Sequence, residues 1–324
     1  MRKIQLGHTG IQIPKLGMGT WAIGGGPAWG DRNEEECIQT ICKAVELGVN
    51  LIDTASAYNF GNSERIVGKA LRRMKREEVC VITKCGIVWN RTGSLFNKVG
   101  DIQLYKNLSK KSLYLEIEES LSRLETDYID IYMTHWQSVE PAFTPIGETM
   151  EVLNDLKEKG KIKAIAAANV TPEHIREYLK YGELDMVQAK YSILDRQAEE
   201  ELIPVCRENG ITLQAYSPLE QGLLSGRYTE DYQPKGAQAN KRWFQPEEMP
   251  KVLRMLKEWR PLCEKYDCKE ADLALAWLMA QGDNITVLNG CSKVYQIEEN
   301  SRALQIELEK TDMEYMKELA DKIR

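Results

Sequence analysis

Short apolar runs alternate with amphipathic stretches along almost the whole chain. Eight runs have the length and composition of buried β-strands, and they occupy residues 15–20, 49–53, 79–83, 128–134, 161–168, 185–189, 211–215 and 285–288. Helical spacing of apolar positions predicts eight helices, near residues 33–48, 62–75, 112–124, 146–159, 172–181, 198–209, 247–260 and 294–303. Strands that are apolar throughout are typical of a parallel sheet covered on both faces. The pattern therefore predicts an α/β fold, a (β/α)8 TIM barrel.

The two ends of the chain add to this repeat. Residues 4–6 and 11–13 predict a small N-terminal β-hairpin that closes the bottom of the barrel. Residues from 311 onward predict an extra C-terminal helix. Because α/β barrels are long single units, we expect residues 1–324 to form one barrel domain.

Two long connections and one possible helix cap refine this prediction. Residues 86–111 and 216–246 follow predicted strands and are much longer than ordinary connections, so we expect both to overhang the face where barrel active sites form. Ser112 precedes an apolar run beginning at Leu113, which predicts that Ser112 is the N-cap of its helix.

Composition excludes several functional classes. With 43% hydrophobic and 28% charged residues the chain has enough apolar side chains for a large core, and its formal charge of -6 gives no reason to expect a nucleic-acid partner. We expect no membrane span, because apolar stretches of about 18 residues are absent, and no signal peptide, because residues 1–8 lack its apolar run. The composition thus predicts a cytoplasmic protein and leaves its oligomeric state open.

The cysteines and histidines do not predict a metal site. The eight cysteines include no Cys-x-x-Cys pair, and His8, His135 and His174 are widely scattered. We expect the cysteines to be buried small side chains in a reducing compartment. Cys85 is the candidate exception, because it adjoins Lys84 and could line the site described next.

Four polar side chains lie at or just after the ends of predicted strands. Asp53, Lys84 and His135 end or follow three of these strands, and Tyr58 comes five residues after Asp53. The carboxyl ends of barrel strands converge on one face, so the four should meet there. A nearby cation lowers the pKa of a phenol, which suits Tyr58 to donate a proton to a carbonyl oxygen, with Lys84 as that cation and Asp53 as its counterion. His135 could orient the carbonyl.

Each of the four also has an ordinary structural interpretation. Asp53 could cap the following helix, Tyr58 could belong to the core or rim, Lys84 could be exposed, and His135 could be a buried structural residue. Their shared position at strand ends favours catalysis. A different catalytic hypothesis makes Lys84 the Schiff-base lysine of an aldolase barrel.

Three sequence motifs resemble those of the aldo-keto reductases over almost the full chain. They are Leu6-Gly7-His8-Thr9-Gly10 with residues 16–21, Asn50-Leu51-Ile52-Asp53-Thr54-Ala55-Ser56-Ala57-Tyr58 with residues 61–64, and residues 121–130 with Met133-Thr134-His135-Trp136. The resemblance implies that Tyr58 is the general acid/base, that Asp53 and Lys84 tune it, and that His135 positions the carbonyl. Residues 84–90 resemble bacterial members related to general-stress and inositol-linked reductases.

The same resemblance implies a nicotinamide cofactor bound on the loops of the barrel. Tyr216 is similar to the tyrosine that stacks on nicotinamide, Asn169 and Gln188 to the residues that bind its carboxamide, and Arg227 to a pyrophosphate ligand. The remaining implied cofactor residues are Gly19, Thr20, Trp21, Asp53, Ser217, Pro218, Leu219, Gly222, Gly226, Gly290, Ser292, Lys293, Gln296, Glu299 and Asn300. NADPH is expected, and NADH is possible because Ser292 stands where many relatives have Arg or Lys.

The expected activity is reduction of an aldehyde, ketone or sugar carbonyl to an alcohol. Trp21, Trp89 and Trp136 fall on active-face loops and, with Tyr58 and His135, are the predicted substrate contacts. A regulatory, nucleotide-binding subunit of the same fold, with little or no turnover, is the alternative of a different class. The complete set of four polar residues favours an enzyme.

Overall fold

The computed structural model describes residues 3–324, so the first two positions of the predicted domain lie outside the described residues. Eight parallel strands close into a barrel. In chain order they are β3 (Leu16–Gly19), β4 (Leu51–Asp53), β5 (Cys80–Cys85), β9 (Ile129–Thr134), β10 (Ile162–Ala168), β11 (Met186–Lys190), β12 (Thr212–Tyr216) and β13 (Ile285–Gly290). Each strand is hydrogen-bonded to the next, and β13 returns to β3. All eight predicted strands are confirmed.

Helices surround the barrel and follow the predicted alternation. They are α1 (Glu34–Glu46), α2 (Asn62–Leu71), α3 (Lys110–Leu124), α4 (Ile146–Glu158), α5 (Pro172–Tyr178), α6 (Leu202–Glu208), α7 (Met249–Glu258), α8 (Arg260–Lys265), α9 (Glu270–Met279), α10 (Val294–Asn300) and α11 (Lys310–Asp321). The extra C-terminal helix is confirmed as α11. The predicted N-cap at Ser112 is wrong: the N-cap is Ser109, three residues earlier, and its side chain accepts a hydrogen bond from the Ser112 amide.

Helices α8 and α9 were not predicted. Every residue of α9 from Asp272 to Met279 is buried. A helix that is apolar on all sides has no polar face, so the helical period that marks the other segments is missing from it. Residues 86–111 are also more regular than a long loop, because they hold the strands β6 (Ile87–Val88), β7 (Ser94–Val99) and β8 (Ile102–Lys106) as an antiparallel sheet in the order β6-β8-β7.

The N-terminal hairpin closes the bottom of the barrel as predicted. Its strands β1 (Lys3–Gln5) and β2 (Gln12–Pro14) pair antiparallel. The Thr212 hydroxyl, at the start of β12, donates to the Gln5 carbonyl, and the Thr286 hydroxyl in β13 donates to the Pro14 carbonyl. These bonds join the hairpin to the N-terminal ends of barrel strands, so the opposite end is left for the site.

The core has an inner and an outer layer. Ile82 and Met133 belong to the cluster inside the barrel, whereas Val81 and Cys85 belong to the cluster between the strands and the helices. Successive side chains of a strand point to opposite faces. The Lys84 side chain therefore points toward the barrel axis, as the Ile82 side chain does, and the Cys85 side chain points outward.

The expectation that Cys85 could line the site is wrong. Its side chain is fully buried, its thiol donates to the Met133 carbonyl at 3.5 Å, and burial raises its pKa well above the ordinary value. A thiol that is protonated and shielded from solvent is unreactive.

Candidate active site

The strand register brings three of the four predicted polar residues to one end of the barrel. Asp53 is the last residue of β4 and pairs with Ile82 of β5, and Lys84 in β5 pairs with Met133 of β9. His135 follows β9, and its amide donates to the Cys85 carbonyl at 2.9 Å. The three side chains therefore come from three adjacent strands at their carboxyl ends.

Lys84 connects two other members of the group, Asp53 and Tyr58. Its ammonium donates to Asp53 Oδ1 at 2.6 Å, to the Thr54 carbonyl at 2.8 Å and to the Tyr58 hydroxyl at 3.2 Å. The Lys84 and Asp53 side chains are 0% and 1% exposed, so this is a fully buried ion pair. The alternative role of Asp53 as a helix cap is wrong, because its carboxylate is held by Lys84 and Gln188.

The pKa values show the state of the group. Burial alone would lower the pKa of Lys84, but Asp53 and Tyr58 outweigh that effect and raise it above the ordinary value, so the lysine is an ammonium. For Tyr58 the predicted direction is wrong: burial raises the pKa of the phenol, and the Lys84 charge only opposes that rise. Tyr58 is therefore protonated in the resting site and can act as an acid.

His135 completes the group as a neutral ring. Its centroid lies 5.8 Å from that of Tyr58 with the ring planes at 79°. Burial, with a smaller contribution from Lys84, lowers the pKa of His135 to about 3. Within residues 3–324 its buried Nδ1 has no hydrogen-bond partner. A neutral imidazole keeps one N–H donor and one acceptor, so His135 can donate to a carbonyl oxygen without carrying charge.

A chain of amides extends from this group across the mouth of the barrel. Gln188 donates to Asp53 Oδ2 at 2.8 Å and to Gln214 at 2.6 Å. Asn169, which follows β10 in a left-handed conformation (φ 55°), donates to the His135 carbonyl at 3.0 Å and accepts from the Tyr216 hydroxyl at 3.0 Å. The predicted nicotinamide residues are thus close neighbours of the predicted catalytic residues.

The remaining predicted cofactor residues surround the same mouth in two segments. Gly290 ends β13 beside Gly19 of β3, so no side chain stands at this junction. After β12 the chain turns repeatedly, with positive φ at Ser217, Gly222 and Gly226. The other residues of the set lie near these turns or around α10: Thr20, Pro218, Leu219, Ser292 and Asn300 are buried, Gln296 and Glu299 are half-buried, and Trp21, Arg227 and Lys293 are exposed.

Arg227, predicted to bind pyrophosphate, already has a carboxylate partner. It forms an ion pair with Glu299, and Glu299 also accepts from Lys269 at 2.6 Å. These three side chains tie the 216–246 connection to α10 and to the residue before α9.

Aromatic side chains line part of the mouth. The Trp21 ring lies 6.3 Å from Tyr58 and 5.2 Å from Trp29. Trp136 lies 5.6 Å from Phe96. Trp89 instead packs against Phe60 and the Arg123 guanidinium, both outside the polar group. Of the three predicted tryptophans, Trp21 is therefore the one in contact with a member of that group.

A buried carboxyl behind the site was not predicted. Glu116 in α3 accepts from the Gly86 amide and from the Ser112 hydroxyl, both at 2.9 Å, and it is 1% exposed. Burial raises its pKa to about 7. A signal was present, because Glu116 stands on the same buried face of α3 as the apolar residues Leu113, Ile117 and Leu124. It fixes the backbone just after Lys84 and Cys85.

We expect Glu116 to make stability depend on pH. The folded carboxyl keeps its proton up to about 7, whereas the unfolded one loses it near 4.5, so the folded state binds more protons between these values and unfolding becomes easier as pH rises. Relative to Glu116→Gln, the wild type should lose about 2 kcal/mol of unfolding free energy between pH 5 and pH 8. Urea titrations at both pH values measure this. Glu118→Gln, on the exposed side of α3, is the control, and equal pH dependence of wild type and Glu116→Gln would refute the assignment.

Comparison with known proteins agrees with this geometry. The model of the aldo/keto reductase family matches residues 15–321. The chain belongs to the aldo/keto reductase family.

This aldo-keto reductase is 62% identical over 322 residues, 99% of each chain, to a protein of Escherichia coli K12 named NADH-specific methylglyoxal reductase. It is 35% identical to an aldo-keto reductase of Bacillus subtilis 168, with 92% of this chain and 87% of the relative covered. Its fold matches a glycerol dehydrogenase of Gluconobacter oxydans with a TM-score of 0.90 and 27% identity, covering 99% and 95% of the two chains.

Family membership confirms several expectations together. The protein is an oxidoreductase that uses a nicotinamide cofactor and reduces carbonyls, which decides against the regulatory alternative. The aldolase alternative also fails on the chemistry of Lys84, because a Schiff-base lysine needs a lowered pKa and here the pKa is raised. In the described part of the chain no helix has the length and apolar content to cross a bilayer.

Proposed function

We propose that this aldo-keto reductase reduces a small aldehyde or keto-aldehyde, with Tyr58 as the proton donor. The observation that carries the proposal is the Lys84 ammonium, which contacts Asp53 on one side and the Tyr58 hydroxyl on the other. A bound nicotinamide supplies the hydride that a carbonyl carbon needs. The protein has to supply the proton, hold the carbonyl oxygen and accommodate the negative charge that develops.

The four polar residues divide these tasks. The Tyr58 O–H donates to the carbonyl oxygen, and the phenolate that remains is stabilised by Lys84 at 3.2 Å. Asp53 keeps Lys84 charged inside a site with little water, where the attraction between ammonium and phenolate is strong. His135, neutral at working pH, donates a second hydrogen bond that orients the carbonyl.

The residues at the mouth fit a nicotinamide dinucleotide. Tyr216 presents a half-buried ring beside the Asn169 amide, and the Gly19 and Gly290 junction lets a flat group approach the backbone. Within residues 3–324 the buried amide nitrogen of Asn289, one residue before Gly290, has no partner. An unpartnered donor at the strand end is available to a ligand acceptor.

The adenosine end of the proposed cofactor site favours NADH over NADPH. Glu299 places a carboxylate in the segment implied to hold the adenosine, and Arg227 and Lys269 hold that carboxylate in place. A carboxylate can accept a hydrogen bond from a ribose hydroxyl, which NADH has and which the 2'-phosphate of NADPH replaces. The Escherichia coli relative named NADH-specific supports the same choice. Glu299→Gln should therefore improve kcat/KM for NADPH relative to NADH.

The proposed substrate class is small. The Trp21 ring centroid lies 6.3 Å from that of Tyr58, beside the proposed proton donor, and the 62% identical relative is named for methylglyoxal reduction. We expect kcat/KM with NADH to be higher for methylglyoxal and other short aldehydes than for aldoses. Initial rates over a panel of aldehydes, ketones and sugars test this, and a preference for hexoses would overturn the substrate assignment. We also propose a cytoplasmic location for the protein. The observation that supports it is that all eight cysteines carry free thiols.

The pH profile should follow from the protonation states. Carbonyl reduction needs protonated Tyr58 and neutral His135: burial raises the pKa of Tyr58 from its ordinary value and lowers the pKa of His135 to about 3. We therefore expect kcat for reduction to be flat from pH 6 to 8. Alcohol oxidation needs the phenolate, so its kcat should rise about tenfold per pH unit in that range. A reduction rate that falls through an apparent pKa near 6.5 would contradict the assignment of His135 as neutral.

A further inference from the structure

The C-terminal end of α8 has the geometry of a Schellman motif. The Cys268 amide donates to the Cys263 carbonyl at 3.0 Å, and the Asp267 amide donates to the Glu264 carbonyl at 3.4 Å. Asp267 takes the left-handed conformation, with φ 46°. These are the two nested bonds and the positive φ that define this helix ending. Cys263 therefore occupies the third position from the helix end, and Cys268 the second position beyond the cap.

A Schellman motif brings the side chains at these two positions into contact. In most helices they are apolar, and here both are cysteines. A backbone hydrogen bond of 3.0 Å between the two residues limits their Cα separation to about 6 Å, within the range that a disulfide spans. The interaction between the two thiols lowers the pKa of Cys263 and raises that of Cys268.

Exposure distinguishes this pair from five of the six other thiols. Cys263 and Cys268 are half-buried, so a small reagent can reach them. Five of the other six cysteines are buried: Cys37, Cys80, Cys85, Cys206 and Cys291. Cys42 is half-buried as well, and it lies in α1.

We propose that Cys263 and Cys268 are a redox-active dithiol that closes to an intrachain disulfide by exchange with a low-molecular-weight disulfide. The active site plays no part in this inference, so it stands or falls independently of the proposed function. A pair of this kind in a reducing compartment is a reversible site of oxidation rather than a permanent structural link.

The exchange is balanced in two steps. The Cys263 thiolate attacks one sulfur of glutathione disulfide, the disulfide bond breaks, and one glutathione thiol leaves. The Cys268 thiol then loses its proton and displaces the second glutathione from the mixed disulfide. Two protein thiols are oxidised to one disulfide, and one glutathione disulfide is reduced to two thiols.

The test begins with fully reduced protein equilibrated with oxidised glutathione and quenched with acid. Wild type should fall from eight titratable thiols to six under denaturing conditions, with a mass loss of about 2 Da and no glutathione adduct. Trypsin cleaves after Lys265, between the two cysteines, so the disulfide should join the peptide ending at Lys265 to residues 266–269. The reduced sample should yield the same two peptides separately and no disulfide-linked pair.

Matched variants separate exchange from simple contact. Cys268→Ser should accumulate a stable glutathione adduct on Cys263, because the resolving thiol is gone. Cys42→Ser should form the same disulfide as wild type, falling from seven thiols to five. Eight thiols retained by wild type would overturn the proposal and leave only the side-chain contact of the helix end. A disulfide between other cysteines, or a lasting adduct on wild-type Cys263, would overturn it too.

Discussion

Tyr58→Phe should lower kcat for carbonyl reduction by about 10²–10⁴-fold, the usual contribution of a positioned general acid. The substitution removes one hydroxyl, which is the only atom of the ring that Lys84 binds as a hydrogen-bond acceptor. The ring keeps its place between Trp21 and His135. Steady-state rates with methylglyoxal and NADH measure the loss.

Two controls make the loss specific to proton donation. Cofactor affinity, measured by fluorescence titration, should change little in Tyr58→Phe, and the thermal midpoint should stay near that of wild type. Tyr181→Phe removes a hydroxyl from an exposed ring remote from the site and should leave kcat unchanged. A Tyr58→Phe enzyme that keeps more than about a tenth of wild-type kcat would show that another group supplies the proton.

Lys84→Met should have the second large effect, on both stability and turnover. The variant leaves the Asp53 carboxylate buried at 1% exposure without its cation. Removing one partner of a buried ion pair typically costs about 3–5 kcal/mol of unfolding free energy. Turnover should fall as well, because nothing then stabilises the Tyr58 phenolate. Urea unfolding and initial rates measure the two effects.

A double variant separates the structural effect from the catalytic one. Asp53→Asn with Lys84→Met removes both charges, so it should recover a large part of the lost stability, since a neutral pair has no uncompensated buried charge. Turnover should not recover. A double variant as unstable as Lys84→Met would show that the two side chains are not coupled, and recovered turnover would remove Lys84 from the mechanism.

The architecture could be predicted from the sequence because the barrel repeats one simple pattern, a short strand followed by a helix. Each strand is short and apolar, and three of the four polar residues of the site end or directly follow a strand, with Tyr58 five residues after one, so the order of residues along the chain predicted their meeting. The N-terminal hairpin was readable for a similar reason, since two apolar runs flank a turn. The elements that were missed lack such patterns: α9 is buried on all sides, and β7 exposes most of its residues.

Within the site, it was easier to predict which residues belong to it than how deeply their side chains are buried and what they contact. Asp53, Tyr58, Lys84 and His135 were found together, but the raised pKa of Tyr58 depends on how deeply the phenol is buried, which spacing along the chain does not reveal. The ion pair between Arg227 and Glu299 joins residues far apart in sequence, so the sequence did not predict it either. The contact of Cys263 and Cys268 depends on one residue, Asp267, adopting a positive φ.

Transfer of deuterium from NADH labelled at the reactive position of its ring tests the central account most directly. The enzyme is supplied with the labelled cofactor and methylglyoxal, and the alcohol is analysed by mass spectrometry beside a parallel reaction with Tyr58→Phe. We predict an alcohol carrying one deuterium from wild type and about 10²–10⁴-fold less product from the variant. An alcohol without deuterium, or equal product from both proteins, would contradict carbonyl reduction by hydride transfer with Tyr58 as the acid.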